Sequence, residues 1–179
     1  MIGATMWEGN GYMDKSDRPI IRVQRTGLEM AIEIVCAAVF AMMVVGVAVV
    51  WADLPVQIPV HFGWSGAPDA WGSKSSLISG LLVAGLIYAG LTLMRSYPHK
   101  YNYPWAITME NAEVQYRLAC MLVAWLKLET ISMFALIAWM QIRTASGAMS
   151  GLLRGPLVVL LVLLFATLGV YVYLGRRAR

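Results

Sequence analysis

Four apolar blocks constrain this chain more than any motif in it: Leu28–Trp51, Leu77–Met94, Ala119–Met140 and Pro156–Gly175. Each is near the length of about 20 helical residues that crosses a bilayer. With 59% hydrophobic and 13% charged residues in 179, the chain lies outside the range of ordinary soluble domains. The expected fold class is all-α: an integral membrane protein with four transmembrane helices and an ordered extracytoplasmic loop. The first block begins too late and runs too long for a cleavable signal peptide, so it should remain as a span.

The domain organisation follows from these blocks. Residues 1–27 read as a polar N-terminal tail with little structure of its own, carrying Glu8, Asp14 and Asp17 against Lys15, Arg18, Arg22 and Arg25. Residues 28–175 form the four-helix membrane domain, with spans at about 28–51, 77–94, 119–140 and 156–175. Residues 176–179 are a basic end. The third helix should start beyond an N-cap at Thr108 and run to about Ile142, with its first turns in water or the interface. Ser73 or Ser75 should cap the second helix. Its Gly80, Ala84, Gly85, Ala89 and Gly90 give small-residue spacing suited to close helix packing.

Orientation comes from the basic residues. One side collects Lys15, Arg18, Arg22, Arg25, Arg95, Lys100, Arg176, Arg177 and Arg179; the other has Lys74, Arg143 and Arg154. Nine against three places both termini in the cytoplasm and the 54–74 loop outside. The expected location is a bacterial inner membrane. The net charge of +4 forms no stripe, so nucleic acid is not an expected partner. Cys36 and Cys120 both fall inside apolar blocks, where they read as small buried hydrophobes.

The loop Leu54–Lys74, LPVQIPVHFGWSGAPDAWGSK, holds the densest aqueous chemistry. Pro55 and Pro59 favour an extended path, and Gly66-Ala67-Pro68-Asp69 is turn chemistry. Its rings, with Trp71 among them, suit the membrane interface. His61 with Asp69 or Asp53 offers a set that binds a metal or responds to pH. The competing reading is that His61 and Asp69 hydrogen-bond the loop to itself or to Lys74. One His and two Asp fall short of the ligands zinc prefers, leaving His61 and Asp69 as weak metal candidates. His61 and His99 lie in loops beside prolines rather than in spans, and no cofactor is expected.

A second set of residues is charged within the spans. Glu29 and Glu33 lie one turn apart, and an unpaired Lys127 or Glu129 would cost about 2.5–3.5 kcal/mol at a helix centre. Lys127 and Glu129 are two residues apart and project in opposite directions. Glu33–Lys127 and Glu29–Arg117 are the expected pairs. Glu129 is left to protonation, a water cavity or a neighbouring subunit.

The loop, followed across the second span by the segment NYPWAITMENAEVQYRL and then Lys127, resembles a bacterial membrane-protein family known as domain of unknown function sixteen forty-eight. That family is related to the N-terminal part of SdpI-type immunity proteins. The loop residues that carry the resemblance are Pro59, His61, Gly66, Pro68, Asp69, Trp71, Gly72 and Lys74. In the second block they are Asn102, Pro104, Thr108, Glu110, Asn111, Gln115 and Tyr116. The resemblance runs from about Trp51 to Ile142 and implies no defined biochemistry.

No nucleophile–base pair, HExxH or phosphate-binding loop is present in the sequence, so no enzyme is expected. The leading expectation is a non-catalytic accessory or scaffold subunit of a larger membrane complex, with lipids and other membrane subunits as partners. The alternative is a sensor or immunity-type protein reading an external ligand through the 54–74 loop. A small transporter is third.

Overall fold

The computed structural model describes residue 15 and residues 17–179. Glu8 and Asp14, with the rest of the tail expected at residues 1–14, lie outside the described residues. The element order is α1 (Gly27–Val50), β1 (Gln57–Phe62), β2 (Pro68–Ser73), α2 (Ser75–Met94), a 3-10 turn (Pro98–Lys100), α3 (Ala112–Ala145) and α4 (Arg154–Arg177). The four α-helices are long and apolar enough to cross a membrane.

The expected all-α class needs one correction, because β1 and β2 form an antiparallel hairpin pairing Gln57 with Ser73 and Ile58 with Gly72. Pro59 and Pro68 argue against a strand inside a sheet, but a two-stranded hairpin consists only of edges, where a missing N–H is tolerated. The ladder slips around His61, letting the strand bend near its tip. Gly66 supplies the turn with φ +87°, and its carbonyl accepts from Leu152 N at 2.7 Å. That bond fastens the hairpin to the α3–α4 connection.

The longest helix organises the packing. α3 meets α1, α2, α4 and β1. At 34 residues it extends about 51 Å at 1.5 Å per residue, well beyond a hydrocarbon core of about 30 Å. Thr108 and Asn111 open it by reciprocal capping: Asn111 N donates to Thr108 Oγ1, and Thr108 N donates to Asn111 Oδ1. The helix proper begins three residues later than expected, because Met109–Asn111 form a turn.

Only part of the small-residue face of α2 is used. Ala84 is buried with Cys36, Met43 and Ile131, and Gly85 lies beside Phe40. Gly80 and Gly90 face open space, and Ala89 is exposed. The packed face follows Leu77, Leu81, Ala84 and Tyr88, a helical stripe in which large side chains do most of the filling. Ser73 Oγ accepts from Ser75 N, although Lys74 occupies the N-cap position itself.

The tail also differs from expectation where it is described. Arg18 Nη1 donates to Tyr101 O at 2.7 Å, and its guanidinium lies over the Tyr103 ring. Val23 is buried with Trp105, Ile107, Ala112 and Tyr116. The segment before α1 is thus strapped across the α2–α3 linker. A run of polar residues conceals this, since Arg18, Ile21 and Val23 take part in the attachment without forming a recognisable pattern.

Candidate functional site

Two constellations of polar groups stand out: one on the hairpin, one among the helices. On the hairpin, His61 Nδ1 and Asp69 Oδ1 are 2.5 Å apart across the two strands, with side chains 69% and 51% exposed. Lys74 takes no part in that pair. Its ammonium donates to Trp51 O and Leu54 O, at 2.9 and 3.2 Å, and sits over the Trp51 ring. A cation at the end of α1 meets carbonyls the helix leaves unsatisfied. Asp53 is exposed at the start of the loop. Among the described residues no three His, Cys, Asp or Glu side chains gather as a metal set.

The remaining hairpin residues are architectural. Pro59 is buried, and its carbonyl accepts from Gln141 Nε2 of α3 at 3.0 Å. A Cβ on Gly72 would come within 2.9 Å of Val60. Pro68 pairs with Phe62 at the turn, while Trp71 is half-exposed and Trp64 is 96% exposed. Arg154 Nη1 donates to Trp64 O, adding a second tie to the start of α4. Gln141 and Arg154 carry no motif, so spacing alone did not reveal them.

The helix charges form two unlike sites. Lys127 is 1% exposed and donates to Glu33 Oε2 at 2.5 Å and to Thr92 Oγ1 at 3.0 Å; its ammonium also lies over the Tyr88 ring. Three helices, α1, α2 and α3, therefore converge on one cation. The expected Glu29–Arg117 pair is not formed. Glu29 instead takes a two-pronged bond from Arg95, at 2.7 and 3.2 Å, while Arg117 reaches Glu113 one turn earlier on α3. Arg95 also donates to Val23 O, so its planar fork joins α1, the α2 terminus and the tail. Arg95 takes this place because it caps the end of α2, which the hairpin connection returns to the level of the first turn of α1, where Glu29 lies.

Glu129 is partnered within the chain. Thr167 Oγ1 of α4 donates to Glu129 Oε1 at 2.6 Å. Its other oxygen, Oε2, is buried and has no donor among the described residues. The side chain borders a cavity of about 560 Å³ between α1, α3 and α4, whose walls include Val39, Leu122, Trp125 and Tyr171.

The second block lies at the opposite end of the bundle from the hairpin. Gln115 is fully buried; its Oε1 accepts from Trp105 Nε1, and its Nε2 donates to Gly175 O and Ala178 O. One amide thereby holds the C-terminus of α4 against the linker. Gly175 is required there because a Cβ would overlap the Trp105 ring. Tyr116 is buried among Val23, Trp105 and Ile107. Asn102 and Pro104 are exposed, and Glu110 is exposed with its carboxyl held below the usual range by Thr108. Burial pushes the Tyr101 and Tyr103 phenols up. Cys36 and Cys120 are buried and unbridged.

No curated protein and no solved structure matches the chain. The second block and α3 fall outside the one stretch that does align with a family model. Residues 37–93, running from within α1 through the hairpin into α2, match the family described as Domain of unknown function (DUF1648), and this part of the molecule is similar to that domain.

Proposed function

We propose that this multi-pass membrane protein is a non-catalytic accessory or scaffold subunit of a larger bacterial inner-membrane complex, with both termini in the cytoplasm. The observation that carries the proposal is the position of α4. Its most apolar 18-residue window has no buried residue, and Val158, Val162 and Phe165 face outward. α1, α2 and α3 share their buried charges, whereas α4 is held mainly through α3. A helix attached along one side offers the rest of its surface to lipid or to another span. The orientation rests on the basic residues outside α3's Arg117 and Lys127, nine on the side of the termini and the α2–α3 linker and three on the hairpin side. Purification from native membranes in nanodiscs, with mass spectrometry of what accompanies the chain, tests the proposal. A stoichiometric membrane partner is expected; recovery of this chain alone overturns it.

A second reading, a sensor of an external ligand, draws on the hairpin. The exposed His61–Asp69 pair and the exposed Trp64 stand on an element fastened to α3 and to the start of α4. Loss of a membrane response in His61→Ala and Asp69→Ala, with folding intact, supports this reading; an unchanged response removes it.

A further inference from the structure

The cavity between α1, α3 and α4 has one polar feature that the protein itself does not complete. Glu129 is 7% exposed, lines the cavity, and keeps Oε2 without a donor. A buried acceptor left unpaired is costly, more so when charged. Something carrying a donor is therefore expected beside it.

The place of Glu129 in the fold limits what that something is. It lies about 26 Å along α3 from Ala112 and about 24 Å from Ala145 at 1.5 Å per residue, near the helix midpoint. A phospholipid headgroup stays at the surface of a hydrocarbon layer about 30 Å thick and does not reach this depth. An acyl chain reaches it but brings no donor. An ammonium group at this depth needs several partners, as Lys127 has in Glu33, Thr92 and Tyr88, whereas this cavity offers one carboxylate oxygen left over. Water needs two to four polar partners; Glu129, Thr167 and Ser132 gather at one part of the wall, and the largely apolar remainder of the cavity is left for an apolar body rather than for water.

The size of the cavity suits a small molecule. The walls extend from Leu118 to Ser132 on α3, about 21 Å. The cavity holds about 560 Å³, within the range of small-ligand sites. Trp125 and Tyr171 bring two aromatic rings to the wall, one turn from Glu129 and Thr167 respectively, and aromatic rings favour contact with a flat ring.

We propose that this cavity binds a membrane-dissolved ring compound of the quinol class, its hydroxyl donating to Glu129 Oε2 and its ring lying between Trp125 and Tyr171. The apolar chain of such a molecule follows the leucine-lined part of the cavity towards Leu118 and Leu174. Thr167 acts as a positioning residue, holding Oε1 so that Oε2 remains turned to the ligand. The site lies wholly within this chain, so it does not depend on the accessory-subunit reading.

The test is equilibrium binding of decylubiquinol, kept reduced without oxygen, and of decylubiquinone to the full chain in nanodiscs. Empty nanodiscs provide the background. Saturable binding is expected, with the quinol favoured roughly tenfold or more, because the quinone has acceptors but no hydroxyl donor. Glu129→Leu should abolish the preference. Glu129→Gln, which offers both a donor and an acceptor, should bring the two forms close to equal affinity and keeps the test available if the leucine variant does not fold. Binding no greater than in empty nanodiscs overturns the proposal. So does equal affinity of the unaltered protein for both forms, or a phospholipid retained in the cavity by protein and Glu129→Leu alike.

Discussion

The Lys127 and Glu129 sites are neighbours on one helix and differ in almost every other respect. Lys127 has a carboxylate, a hydroxyl and an aromatic face around it, drawn from α1 and α2. Glu129, facing the other way, has one hydroxyl from α4 and an open cavity. The contrast teaches that burial of a charged side chain does not by itself indicate a role. A complete set of partners makes a joint, while an incomplete set beside a void makes room for something else.

Removing the cation from the complete site should have the largest effect. Lys127→Met leaves Glu33 without its partner, and breaking a buried pair from one side costs about 3–5 kcal/mol. Thermal unfolding in detergent should show a clear loss of stability; an unchanged melting temperature would remove the distinction between the sites. The end of α4 comes next. Gln115→Ala strips one donor or acceptor partner from each of Trp105 Nε1, Gly175 O and Ala178 O, for an expected loss of about 1–3 kcal/mol. Faster proteolysis near Arg176, with the other helices still protected, would locate that loss in α4.

How far this was legible beforehand depended on the kind of signal. Apolar length carries the four helices because crossing a bilayer imposes it, whatever the neighbours. The Lys127–Glu33 contact was approachable from depth along two helices. The Glu29–Arg95 fork was not, because it depends on which face of α2 lies against α1 where the second helix ends. The hairpin was obscured by Pro59 and Pro68. The cavity could not be read at all, since its walls come from three helices whose mutual placement no residue spacing encodes.

Glu129→Leu should sharpen the comparison from the opposite direction. Without added ligand it removes an incompletely satisfied acceptor, so stability should stay level or rise, as is common when buried polar groups are replaced by well-packed apolar ones. A loss comparable with that of Lys127→Met, measured in the same detergent, would mean that the Thr167 contact is itself a joint. The smallest effect should come from His61→Ala. Its partner Asp69 is half-exposed, and pairs of that kind contribute about 0–1 kcal/mol. Chemical denaturation should barely move; a larger shift would show that the pair fixes the hairpin.

The clasp made by Gln115 also bears on how the protein is built. During synthesis α1, the hairpin, α2 and α3 emerge before α4. Until α4 arrives, the Gln115 amide and the Trp105 indole confront an empty place at the linker end of the bundle. Docking of Gly175 against the indole fills that place and completes both hydrogen bonds to the helix terminus. The last helix thus closes the assembly as a latch, and a chain interrupted after α3 carries an exposed marker of its own incompleteness for quality-control proteases to read.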